Sequence, residues 1–325
     1  MNAETGGTSR SRRLPVALLL WSLVLGASAG ASRPQPQDQK MEGYPAVGAP
    51  AIVTLLSPGA EPRTRLRYTV ASTYKEHMSM NMLMSMSMEM GGMAMPAMQM
   101  PMMKMGADLN VTSVAASGDI TYSIAFTGFG VDSTPGVDPA VIAAMGGLDA
   151  DIKSLKGSST ISDRGIARSV NFDFSKVTNP ALKQTMDSVS SSIQNMSMPL
   201  PEEAVGVGAR WEVRHSLAAG GMQVFQKTVF ELVKLDGKTA TLKLTVESTA
   251  PPQAINNPAM PPGADVRLQK LAGSGTGTMT VNLDALVPTS EATMQQNMVM
   301  AISMGGDTQT MSGVTTMKIG ISPVK

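Results

Sequence analysis

The residues of this chain with the clearest chemistry are a histidine and a dense series of methionines. From His77 the sequence runs HMSMNMLMSMSMEMGGMAMPAMQMPMMKM, and between Met78 and Met90 a thioether returns at every second residue. Thioether sulfur is a soft ligand suited to Cu(I), and an imidazole nitrogen can complete such a site. On that reading copper is held by His77, Met78, Met80, Met82, Met95, Met98, Met100, Met102, Met103 and Met105. The later members lie in a segment broken by Pro96 and Pro101, whose irregular spacing suits a ligand-bearing loop or the return strand of a hairpin.

The same spacing has a second meaning. A strand rises about 3.3 Å per residue with side chains alternating in direction, so Met78 to Met90 would extend roughly 43 Å with every methionine on one side. The other side reads Ser79, Asn81, Leu83, Ser85, Ser87 and Glu89, and only Leu83 departs from an inside/outside division. A metal loop has no reason to keep that division, so an apolar sheet face is the favoured reading and copper the alternative. Burying a methionine gains roughly 1.5 to 3 kcal/mol, while freezing its torsions costs up to about 2 kcal/mol. Valine or isoleucine would hold a strand better, so methionine points to a wide, deformable apolar surface. Such a surface is a loosely packed interior or a wall for apolar, lipid-like cargo. Sacrificial oxidation of exposed sulfur is a third use.

Other chemistry is sparse. The chain holds two histidines, His77 and His215, and no cysteine, which removes zinc sites built from Cys and His as well as any disulfide framework. His215 reads as an ordinary strand residue, Trp211 as a core anchor, and Glu202-Glu203 as a solvated pair in a proline-flanked linker. Gly273-Ser-Gly-Thr-Gly277 lacks the setting of a nucleophile elbow and reads as the start of a strand. No dinucleotide fingerprint or phosphate loop occurs. With 26 basic and 25 acidic residues, a formal charge of +1 and no basic block, the chain has no nucleic-acid footprint. A non-enzymatic protein without a resident cofactor is expected.

The elements that would position the methionines are mainly β. Ile120, Tyr122, Ile124 and Phe126 alternate with polar residues, as do Ala240, Leu242, Leu244 and Val246, and Asp236-Gly237 is a hairpin signal. Strands are expected near 51 to 56, 65 to 90, 97 to 115, 119 to 128, 158 to 162, 166 to 173, 210 to 217, 222 to 235, 238 to 248, 276 to 284, 293 to 304 and 308 to 321. One long helix, 180 to 196, follows Asn179-Pro180 with Leu182, Met186, Val189, Ile193 and Met196 on one stripe; a short helix starts at Asp138-Pro139. Residues 250 to 272 form the longest expected loop. Met298, Met300, Ile302 and Met304 before Gly305-Gly306 loosely repeat the Met78 run before Gly91-Gly92, as internal duplication or as convergence of simple alternation.

The first 31 residues read as a signal peptide: Arg10, Arg12 and Arg13, an apolar run from Leu14 to Leu25, and a cleavage site at Ala27-Ser28-Ala29 or Ala29-Gly30-Ala31. The run is shorter than the roughly 20 residues of a membrane span, so no span is expected after processing. Ser11-Arg12-Arg13-Leu14 is a partial twin-arginine match. Residues 32 to 49 read as a flexible linker. The folded part, 50 to 321, is one β-rich domain or two related lobes, 50 to 178 and 205 to 321, joined by the helix 180 to 196.

Several motifs in order carry a resemblance: the Met-alternating strand, the Ser117-Gly118-Asp119 turn, Val131-Asp132-Ser133-Thr134, the short helix, the Asp163-Arg164-Gly165 turn, the long helix, and Val205-Gly-Val-Gly-Ala-Arg-Trp211. The chain resembles a family of uncharacterised, exported bacterial β-rich proteins, a domain of unknown function, over most of residues 50 to 321. That family implies no activity and no site residues. More loosely, the architecture is similar to the half-barrel carriers of lipoproteins and lipids in the bacterial envelope. The expectation is therefore mainly β (α+β): a large curved antiparallel sheet or half-barrel with one long and one short helix packed on it, in a secreted or periplasmic protein. Its role is binding of apolar cargo, with Cu(I) binding or a purely structural envelope component as alternatives.

Overall fold

The computed structural model describes residues 39–132, 137–177, 198–219, 221–255 and 265–324. The expected signal peptide and the expected helix 180 to 196 lie outside the described residues. In chain order the strands are β1 (Ile52–Ser57), β2 (Lys75–Met90), β3 (Met93–Ala94), β4 (Met98–Gln99), β5 (Met102–Val114) and β6 (Ile120–Asp132). Two short helices follow, α1 (Pro139–Gly146) and α2 (Asp149–Ser154). The chain continues through β7 (Lys156–Ile161), β8 (Ala167–Asp173), β9 (Arg210–Ala219), β10 (Met222–Asp236), β11 (Thr239–Ala250), β12 (Gln253–Ala254), β13 (Asp265–Asn282), β14 (Thr289–Met304) and β15 (Asp307–Val324).

All fifteen strands form one open antiparallel sheet in the order β1-β9-β10-β11-β13-β14-β15-β2-β5-β6-β7-β8, with β3 and β4 on β2 and β12 on β13. Both expected lobes feed this single sheet. β1 crosses to pair with β9, and the last strand, β15, pairs with β2 from His77 to Met90. The hairpin expected at Asp236-Gly237 joins β10 to β11, with Gly237 at φ +56° as a tight primed turn requires.

The short helix starts where the sequence places it: the Asp138 side chain accepts from the Ala140 amide at 2.8 Å, and Pro139 occupies the first turn. α2 was not expected; its six residues are too few for a periodic signal, and it is held because Ile152 is buried in the core. The loop expected over 250 to 272 is shorter, since β12 and the first part of β13 fall inside it. Its prolines end at Pro262, and from Asp265 the pattern Val266, Leu268 resumes strand alternation.

The segment from Gln39 to Ala49, expected within the flexible linker, is docked on β9 and β10. Gln39 and Gln223 exchange two hydrogen bonds of 2.8 Å, Tyr44 meets Phe225 edge-on at 5.2 Å, and the Arg214 guanidinium lies 5.4 Å from the Tyr44 ring centre. Glu202, expected to be merely solvated, pairs with Arg67 at 3.1 Å and Arg164 at 3.0 Å. It clips two loops together, though so exposed a carboxylate contributes little.

Two apolar clusters fill the inner side of the sheet. The larger gathers Leu66, Ile120, Leu232 and Leu242 around Trp211, which stacks on Phe230 at 5.7 Å and donates its indole N–H to the Pro199 carbonyl at 3.0 Å. The smaller surrounds Leu268 and Met300 and draws heavily on methionine: Met88, Met222, Met300 and Met311 are buried in it, with Met86, Met90, Met95, Met98 and Met298 against it. Between them the Gly273-Ser-Gly-Thr-Gly277 run lies within β13, with all three glycines facing inward. A Cβ at Gly277 would stand 2.5 Å from the Glu291 carbonyl oxygen, and one at Gly275 2.7 Å from that of Thr293. β14 therefore approaches β13 closely along a line where no side chain fits.

Gly277→Ala should cost about 2 kcal/mol or more through overpacking, whereas Gly320→Ala, whose Cβ would meet nothing nearer than 3.9 Å, should stay within about 0.5 kcal/mol; urea titration of both variants checks the contrast. Burial also pushes His215 down from 6.5 to about 4. The folded state then resists a proton that the unfolded chain accepts, so stability is full above pH 6.5 and falls as pH drops toward 4, by about 3 kcal/mol at 1.36 kcal/mol per unit. His215→Gln should flatten that part of the unfolding profile.

Candidate functional site

Strand alternation sends the even-numbered residues of β2 inward and leaves Asn81, Ser85, Ser87 and Glu89 exposed on the outside. The two-residue turns Gly91-Gly92 and Gly305-Gly306 have positive φ at both positions, +57° and +82°, and +64° and +97°. That is the primed hairpin geometry that glycine adopts without strain, and it sets the register of each methionine strand on its return. The two hairpins stand side by side, because β15 pairs with β2.

The consequence is that methionine faces methionine across strands. Met80 stands opposite Met105, Met82 opposite Met103 and Met86 opposite Met98. Met90 pairs with Met93 on one side and Met311 on the other, and Met311 with Met300. In the middle, Met294, Met317 and Met84 form one row over β14, β15 and β2, and the Met100 amide donates to the Met84 carbonyl at 2.9 Å to extend it. Directly opposed Cβ atoms in such pairs lie about 4.5 to 5.5 Å apart.

Pro101 explains the irregular second segment. The register moves by one residue between Met98, opposite Met86, and Met103, opposite Met82, a bulge centred on a residue that has no amide hydrogen. Met100 and Met103 therefore both serve the inner face. Met102 turns outward to meet Leu83 in a groove of about 670 Å³ on the outer face, lined also by Lys243, Glu291 and Lys318. The exception at Leu83 has its partner there.

The structure thus divides the candidate copper ligands. Met78 is buried in the larger cluster; Met95 and Met98 pack against the smaller one; Met80, Met82, Met100, Met103 and Met105 share the inner face. Met102 and His77 lie on the outside, and His77 Nδ1 is 2.7 Å from the Asp108 carboxylate. His77 and the thioethers do not converge. Among the described residues no group of three or more His, Asp or Glu is arranged to hold a metal. The titratable side chain on the inner side of β2 is Glu76, whose carboxyl is pushed above the usual range by burial and whose Oε2 has no hydrogen-bond partner among the described residues.

One stretch differs from the rest. Among the described residues Met80, Met82, Met84, Met317 and Ile319 join neither apolar cluster, and all five are half-buried. They form a methionine strip over β15 and β2 between two packed regions. Met84 and Met317 were missed as site residues in the sequence, Met317 because it lies more than two hundred positions from its partner Met84 on β2; the diluted alternation near the second Gly-Gly pair was the available signal.

Residues 151–285 match the model of a family of unknown function (DUF6263). The match is narrower than the expected 50 to 321: it runs from α2 past the end of β13 and leaves out β2, β5, β14 and β15, the strands that carry the methionine strip. No curated protein matches the chain.

Limited peroxide treatment followed by peptide mass analysis should grade the thioethers by exposure. Met93, 75% exposed, and Met304, 42% exposed, should form sulfoxide first and Met300, 1% exposed, last, with Met82, Met84 and Met317 in between. Oxidation of those three as slow as that of Met300 would show the strip to be sealed.

Proposed function

We propose that this is an exported, non-enzymatic binding protein that holds an apolar, lipid-like molecule against the methionine strip. The observation that carries this reading is the half-buried state of Met80, Met82, Met84, Met317 and Ile319 between two packed clusters. Apolar side chains that neither pack in a core nor scatter singly mark a surface that gains by being covered. From Met80 to Met84 the strip runs roughly 13 Å along β2 and about 10 Å across the neighbouring strands, enough for part of an acyl chain or a small ring system.

Methionine suits that task. Its unbranched side chain and polarizable sulfur adapt to ligands of different shape, which a wall of valine would not do. The glycine line of β13 lets β14, the strand next to the strip, approach closely, and the strip itself carries no charge to oppose an apolar guest. Export rests on the signal-like residues 1 to 31.

Native mass spectrometry of the protein purified from its source should show a co-purifying apolar mass, and a fluorescent fatty acid should bind and be displaced by the extracted material. Met84→Glu should weaken that probe by more than about tenfold, equivalent to 1.4 kcal/mol, by placing a carboxylate in the strip. Met84→Leu, close in volume and equally apolar, should leave it unchanged. Equal binding by the Met84→Glu variant and the unmodified protein would remove the proposal.

A further inference from the structure

Beyond cargo binding, we infer that Met82, Met84 and Met317 form a three-thioether site for a soft monovalent metal ion, Cu(I) in chemical class. Three features mark this trio. The first is shape. Met82 and Met84 are two apart on β2, about 6.6 Å between Cα atoms, and Met317 stands directly opposite Met84 on β15. The three origins make a triangle, with the diagonal from Met317 to Met82 about 7 to 8 Å. Long side chains can converge on its centre, whereas a row such as Met294, Met317 and Met84 is linear and its outer members diverge. Met294 moreover leans over Gly275, where an added Cβ would stand 2.7 Å from its Cγ.

The second feature is access. Met300 and Met311 also oppose each other, but both are buried in the smaller cluster, where an ion would have to displace packed side chains. The trio is half-buried and, among the described residues, belongs to neither cluster, so an ion can arrive and still be shielded from bulk water. The third is ligand type. Thioethers are neutral and soft, and the neighbours of the trio on the same face, Met80, Met86, Met294 and Ile319, carry no charge, so the set selects Cu(I) and its analogue Ag(I) over Zn²⁺, Mg²⁺ or Ca²⁺. Binding needs no redox step and no proton release, since thioether sulfur carries no proton at any working pH.

The site shares residues with the apolar strip but not its chemistry, so each can fail alone. Leucine in place of methionine keeps volume and apolarity and removes the sulfur. The unmodified protein should take one Cu(I) per chain from bicinchoninate with submicromolar affinity and should ignore Zn²⁺. M82L/M84L/M317L should lose Cu(I) affinity at least a hundredfold, and M93L/M304L, whose methionines lie outside the strip, should bind both Cu(I) and the fluorescent fatty acid as the unmodified protein does. Should the triple variant fail to fold, the unmodified protein labelled with ¹³C at its methionine methyl groups supplies the test: one equivalent of Ag(I) should shift the resonances of Met82, Met84 and Met317 and leave that of Met300 in place. Micromolar or weaker Cu(I) binding, an unchanged triple variant, or Ag(I) shifts confined to other methionines would each overturn the assignment.

Discussion

The backbone ladder between β15 and β2 is the interaction on which the molecule depends. It joins the last strand of the chain to the first long one, from Val324 against His77 to Met311 against Met90. Without it, the sheet would fall into two pieces, each with a long, apolar, unpaired edge, a liability that proteins rarely tolerate. Because side chains alternate with a period of two, a slip of one residue in this ladder would send every methionine of β2 to the solvent side. The two Gly-Gly turns constrain the neighbouring registers, and the β13 glycines allow β14 to close in beside them.

Around that ladder the sheet is stabilised unevenly. At one end the fully buried Trp211, Leu232, Leu242 and Leu200 make a conventional aliphatic and aromatic core shared by strands from both halves of the chain. At the other end methionine takes over, packed around Leu268 and Leu271. A branched side chain loses little rotamer freedom on burial and methionine loses much, so the second region has a smaller net gain per residue and a more adaptable surface. The strip lies where the two regimes meet, and the family match leaves out both strands that form it, β2 before the matched residues and β15 after them.

The two chemistries proposed for the strip follow from the two properties of one side chain. As a flexible hydrocarbon, methionine wets an apolar guest; as a thioether, it offers a lone pair to a soft cation. Which residues can do the second is decided by geometry across strands, and a triangle of Met82, Met84 and Met317 converges where a line does not.

Much of the architecture was legible in the chain itself, because period-two alternation, Asp236-Gly237, Asp138-Pro139 and the paired glycines are local signals whose physics acts over a few residues. The inward direction of the β2 methionines belongs to the same class. Pairing partners do not: nothing near Met84 in sequence points to Met317, and the docking of Gln39 to Ala49 on β9 and β10 or the clip from Glu202 to Arg67 joins segments more than a hundred positions apart. The bulge at Pro101 lies between the two classes, since proline announces a break but only the partner strand decides which methionines end up inside. The sequence by itself determined the element types and the faces of the strands, through local propensity and spacing. Strand order, register and the grouping of thioethers were decided only by the tertiary pairing of strands, because they depend on which distant backbone supplies each hydrogen bond.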